Sequence, residues 1–210
     1  MKVELLNYTP LEVADNAIGK CYDKGCYTDI DKIKKRIDNV ANVKKHASTI
    51  EHLSYNLDIT GVSRALLQEL ARHRIASYSV KSTRYTLKEL KDEVFDFDPL
   101  KAVAYTKEQI NQCEKYIVFT SDEAVNSASI MSLWMLQQII KSGVANDKAK
   151  YCMPESYKTS LVMTINARSL QNFISLRSSK HALREIQDLA KAIYTVIPKD
   201  HKFLFKNFLA

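Results

Sequence analysis

Between Glu69 and Tyr85 the chain crowds together Arg72, Arg74, Arg84, Lys81, His73 and the hydroxyls of Ser77, Ser79, Ser82 and Thr83. Fork-shaped cationic donors beside small hydroxyls suit a dianionic phosphate better than they suit a core. Cations near a helix C-terminus also complement the helix dipole, so both readings stand on this stretch alone. Val62, Leu66, Leu70 and His73 recur at three and four, which predicts a helix with His73 on the buried stripe and Arg72 and Arg74 projecting to either side. Tyr78 to Tyr85 alternates poorly and reads as an ordered extended loop, whose amides, with Ser82 and Arg84, would cup an anion. No base neighbours Ser82 in sequence, so it reads as a hydrogen-bond donor, not a nucleophile.

A second group of such residues lies far along the chain. Leu161 to Ile165 predicts a strand, followed by Asn166, Ala167, Arg168, Asn172 and Arg177 at its junction with a helix starting near Ser169. Leu170, Phe173, Ile174 and Leu176 would cover the buried side, leaving amide and guanidinium groups for nucleotide edges and phosphates. Earlier, His46-Ala47-Ser48 and Glu51-His52 precede Leu53, Tyr55, Leu57 and Ile59, whose alternation predicts a half-buried strand ended by Gly61. His46 also reads as a helix-terminal histidine.

The elements that must position these groups are mostly helical. Val3 and Leu5 open a short alternating segment. Thr9-Pro10 supplies a cap and first residue for a helix to Cys21, and Asp29 or Asp31 caps a second with Ile33, Ile37, Val40 and Val43 inside. Residues 86 to 105 form an acidic, aromatic excursion. Thr106 to Gly143 predicts two helices joined near Thr120-Ser121-Asp122. The second is apolar on more than one side, which suggests packing against another subunit, and its Trp134 reads as core.

Composition bounds the reading. The 210 residues and 24.0 kDa suit one domain over 1–210, and 46% hydrophobic with 26% charged residues describe an ordinary globule. A net charge of +7 favours an anionic partner: nucleotide, nucleic acid or acidic surface. No apolar run has membrane-spanning length and the start lacks a signal-peptide core, so a cytoplasmic protein without a membrane partner is expected. The four cysteines read as reduced thiols, with Cys152 a small buried residue; Cys21, Cys26, His46 and His52 fit no compact metal pattern. With only four glycines there is no Rossmann turn or phosphate loop, so side chains and helix ends must hold any dinucleotide.

Arg72-His73-Arg74, seven residues, then Ser82 with Arg84-Tyr85 close behind resembles the signature of the flavin-dependent thymidylate synthases. The Asn166-x-Arg168, Asn172, Arg177, His181-Ala182 series resembles that family's second block, and His46-x-Ser48 the segment before its first. The resemblance runs from about His46 to Ile197. It implies an α/β fold with a mixed sheet flanked by several helices, assembled as a homotetramer with shared active sites. It also implies reductive methylation of dUMP to dTMP, with methylenetetrahydrofolate as carbon donor, FAD as hydride carrier and NADPH as reductant, and no nucleic-acid partner. By the same likeness, flavin contacts fall to Ser48, Arg72, His73, Arg74, Asn166, Ala167, Arg168 and Asn172. The nucleotide falls to Glu69, Arg72, Ser82, Arg84, Lys150 and Arg177, with Arg177 the catalytic group at the uracil edge and His46 near the reaction. Three positions depart from the pattern: Lys150 for an arginine, Val80 for a glutamate and Glu69 for a glutamine. The alternative reading is a basic nucleic-acid-binding protein without catalytic activity, using the same arginines on backbone phosphates.

Overall fold

The computed structural model describes residues 1–102 and 104–208. Four strands form one sheet in the order β1-β2-β4-β3: Lys2–Tyr8 (β1), Ser54–Ser63 (β2), Ala76–Val80 (β3) and Lys158–Asn166 (β4). β1 runs antiparallel to β2, Val3 opposite Ile59 and Leu5 opposite Leu57. The predicted alternation in β2 is real, for Tyr55, Leu57 and Ile59 are fully buried while their neighbours are partly open. Gly61 does not end the strand; it sits inside it with φ of 70°, a left-handed conformation that a side chain would strain.

The chain forms two compact units, neither of them a continuous piece of sequence. The first comprises Met1–Thr60, Glu69–Ser79 and residues 161–208. Its helices are Leu11–Tyr22 (α1), Ile30–Ile37 (α2), Ala167–Arg177 (α9) and Arg184–Val196 (α10), with α10 packed on both β1 and α9. Leu170, Phe173, Ile186, Leu189 and Ile193 are buried there, each contributing about 1.5–3 kcal/mol of burial. Pro10 occupies the N-cap of α1, not its first turn, because Thr9 uses its hydroxyl to accept from the Ser54 N–H. Asp29 caps α2, accepting from the N–H groups of Asp31 and Lys32.

After α2 the winding changes. Asp38–Val43 is a π-helical turn, and the wider winding turns Val43 outward (68% exposed) and Asn42 inward, against the expected stripe. Asn42 Nδ2 donates to Asp38 and Asn42 Oδ1 accepts from Gln171 Nε2.

The second unit, Gly61–Gln68 and Val80–Ser160, is built on Glu123–Lys141 (α7). Ile130, Leu133, Leu136 and Ile140 of α7 are buried with Leu87, Leu90, Cys113, Ile117 and Tyr157. Asp122 caps α7 by accepting from Val125 N–H, and Thr106 and Gln109 form a reciprocal capping box on Lys107–Glu114 (α6). The excursion after Thr86 contains one short helix, Lys88–Lys91 (α5), preceded by Thr83–Thr86 (α4); position 103 lies outside the described residues. Asn146–Ala149 (α8) follows α7. Cys152 is exposed, contrary to expectation, and Cys113 is the buried thiol, pushed up to about 11 by its burial.

Arg64–Leu70 is α3. It stops at Leu70 without a glycine because other groups take its last carbonyls. His73 N–H and the Tyr78 hydroxyl both reach Leu70 O, and Tyr78 also donates to His73 O. Tyr78 belongs to β3, so the predicted loop after Ser77 is in fact an edge strand followed by the short α4. The weak alternation of a short edge strand hid it.

Candidate active site

Ending α3 at Leu70 throws Arg72, His73, Arg74 and Ile75 into a turn. His73 is 9% exposed, its ring edge-on to Phe173 of α9 with centroids 5.0 Å apart. Asn166 starts α9 by accepting from Ser169 N–H at 2.9 Å, and the Ala167 N–H donates to Leu53 O at 2.7 Å. With its start fixed to the end of the His46–Leu53 segment, α9 delivers Arg177 from its last turn.

Arg177 is held at three points. Nε donates to His73 Nε2 at 2.9 Å, Nη1 to Glu69 Oε2 at 2.7 Å and Nη2 to the Glu69 carbonyl at 2.9 Å. Its side chain is only 14% exposed. The contact at Nε2 requires a neutral imidazole there, with its proton on Nδ1. Burial, then Arg177, then Arg72 hold His73 below the ordinary histidine value, with Glu69 pulling the other way. The Glu69 carbonyl at the end of α3 is thus taken by a cation from α9 and not by Arg72 or Arg74 of its own stretch.

These groups wall a cleft of about 580 Å³. Arg72, His73, Arg74, Arg168, Asn172 and Arg177 of the predicted residues line it. Glu69 stands behind, bound to Arg177 and also to Arg72 at 3.2 Å. Ser48 and His46 line an adjoining cleft of about 390 Å³ that shares Arg168, and the Tyr22 hydroxyl lies 3.3 Å from His46 Nδ1. Asn166 and Ala167 sit at the base of α9, with Ala167 fully buried. Ser82, Arg84 and Lys150 belong to the second unit, where Arg84 packs its guanidinium on Tyr85 and its carbonyl accepts from Asn146 Nδ2.

Sequence reasoning gave no role to Glu51, whose carboxylate pairs with Arg168 at 2.6 Å on the cleft wall. An acid embedded in the His46–His52 segment was the available signal. It also assigned Leu176 to the core, whereas Leu176 is 55% exposed and lines the cleft beside Ile75, 70% exposed. A helix of this length buries one stripe, and Leu170, Phe173 and Ile174 fill it.

The family model described as thymidylate synthase complementing protein matches residues 4–201. A flavin-dependent thymidylate synthase of Wolinella succinogenes is 50% identical over 207 residues, covering 98% of this chain and 97% of its own. The chain belongs to the flavin-dependent thymidylate synthase family. A flavin-dependent thymidylate synthase of Helicobacter pylori is 49% identical over 212 residues, covering 100% of this synthase and 99% of its own chain. The crystal structure of thymidylate synthase X from Helicobacter pylori with FAD and dUMP superposes with a TM-score of 0.91. It is 48% identical and covers 100% of this chain and 99% of that one. The mixed α/β fold expected of the family is the fold observed.

Proposed function

We propose that this synthase converts dUMP to dTMP, taking carbon from methylenetetrahydrofolate and reducing equivalents from NADPH through FAD, as a cytoplasmic homotetramer with shared active sites. The observation that carries the reading is Arg177, pinned against a neutral His73 in a cleft walled by Arg72, Arg74 and Arg168. Those residues fit a flavin dinucleotide. Three guanidinium groups suit its diphosphate, the exposed Leu176 and Ile75 offer apolar surface to a flat ring, and Asn172 offers an amide for ring edges. Ser48, Asn166, Ala167 and His73 complete the proposed cofactor set, with His46 near the reaction.

When bound, the flavin supplies the two-electron chemistry, and the protein supplies orientation and charge. Arg177 holds a fixed positive charge in a half-enclosed cleft, which favours the anion of a weakly acidic imide placed beside it and so a more nucleophilic ring carbon. Glu69 orients that guanidinium through two acceptors. Ser82, Arg84 and Lys150 would take the nucleotide phosphate; Lys150 does so as a point charge, without the bidentate fork of an arginine. Arg72 is proposed as a further substrate contact. Assembly is supported by the open side of α7, where Val125, Met131 and Met135 are 50%, 40% and 44% exposed.

Absorbance of the purified protein and anaerobic dTMP formation test the proposal together. The expected result is a yellow protein that forms dTMP from dUMP, methylenetetrahydrofolate and NADPH. A colourless protein that takes up no FAD and forms no dTMP overturns it.

A further inference from the structure

The candidate cleft is one of three hollows in the first unit that share lining residues in succession. It shares Arg168 with the His46 cleft, which shares Tyr22 and Val40 with a third hollow of about 730 Å³ lined from α1, α2 and the chain beside them. Lys24, Lys32, Lys35, Lys44 and Arg36 line this last hollow, and among the described residues no carboxylate does. A lysine-rich helix face is ordinarily a solvated face, yet here the lysines converge on a concavity. None of the four lysines makes an ion pair among the described residues.

The support beneath them is built. Arg36 pairs with the fully buried Asp15 at 3.1 Å, Asp15 accepts from Tyr27 N–H at 2.8 Å, and Arg36 Nη2 donates to the Gly25 carbonyl at 3.0 Å. The same guanidinium stacks 3.9 Å from the Tyr27 ring centroid. At Gly19 a Cβ would meet the Lys24 carbonyl at 2.6 Å, so that position admits no side chain while the loop lies where it does. The backbone carrying Lys24 is therefore tied down on both sides of that residue, and Arg36 is held in place at the floor of the hollow.

We propose that the lysine hollow is a subsite for the oligoanionic tail of a co-substrate whose reactive ring lies in the active cleft. This rests on the proposed synthase activity and deepens it. Two co-substrates carry such a tail: a folate with an extended glutamyl chain, through its carboxylates, and NADPH, through its phosphates. Arg168 and Tyr22 mark the path the tail follows from one end of the run to the other.

Steady-state KM values distinguish the sources. They are measured for monoglutamyl against pentaglutamyl methylenetetrahydrofolate, and for NADH against NADPH. The variant Lys32→Glu/Lys35→Glu is expected to raise the KM of one tailed co-substrate about tenfold relative to its less anionic counterpart, with flavin content as in the wild type. Lys107→Glu, an exposed reversal on α6, leaves both ratios alone. In the wild type, added salt raises the tailed KM more steeply than the other, a readout independent of any variant. Both ratios staying within about twofold of wild type overturn the proposal. So does loss of flavin at unchanged ratios, which assigns the hollow to the cofactor, or loss of RNA-oligonucleotide binding at unchanged ratios, which assigns it to nucleic acid. A wild-type chain that forms no dTMP from untailed substrates sinks the synthase reading and this subsite with it, a result unlike a working enzyme with unchanged ratios.

Discussion

Arg177 Nε lies 2.9 Å from His73 Nε2, so the final turn of α9 and the turn after α3 meet at a single shared proton. Removing the guanidinium takes away the fixed charge without touching Arg72, Arg74 or Arg168. Arg177→Ala is expected to lower kcat by about a hundredfold to a thousandfold while most flavin stays bound. Single-turnover dTMP formation and the flavin-to-protein absorbance ratio check this. Loss of flavin with normal chemistry after reconstitution would contradict the assigned role.

Glu69 is the neighbour that draws the His73 pKa upward, against burial, Arg177 and Arg72. Glu69→Gln keeps acceptors for Arg177 but removes that charge, so His73 takes up a proton only at lower pH. Protonation at Nε2 would set an imidazolium N–H against the Arg177 donor, and activity should fail on that limb. Wild type should therefore lose activity below the ordinary histidine value of 6.5, and Glu69→Gln at a lower pH still. A pH profile of kcat in both proteins tests it; an acid limb that moves upward in the variant argues against the sign.

How far sequence reached depends on whether a residue's place follows from local period. Tyr55, Leu57 and Ile59 alternate, and the strand was legible from that. His73 followed the stripe of α3 into the core although the helix ends before it, because the turn preserves its direction. Leu176, Val43 and the Ala76–Val80 strand were not legible, since each is set by a partner or a winding change that no short window contains. The Arg177–Glu69–His73 contacts join residues more than a hundred positions apart. Only the likeness to a family, not periodicity, drew them to one place.

Asn166 spends its side-chain oxygen on the first turn of α9. Asn166→Ala is expected to cost about 1 kcal/mol of stability, with Asn166→Asp recovering most of it because the cap oxygen returns. Urea denaturation of both variants measures this. Equal midpoints for the two would show that the cap contributes nothing.

His201 is fully buried, paired through Nδ1 with the Tyr55 hydroxyl at 2.8 Å, and burial holds it below 6.5 despite Asp200. The unfolded chain protonates first on acidification, so stability is present above about pH 6.5 and declines as pH falls through it, levelling below the folded value. His73 adds to the same slope. His201→Asn, whose amide oxygen can accept from Tyr55, should leave a shallower decline between about pH 7.5 and 5.5. Denaturant midpoints across that range give the slope directly, and an unchanged slope would remove His201 from the account.

The widened turn at Asp38–Val43 makes the chain length there a matter of phase. Deleting one residue would act as a rotation, not a shortening: it would swing Asn42 off Gln171 and bring Val43 round to replace it. The turn would then lose its hold on α9, although hardly any of the composition had changed.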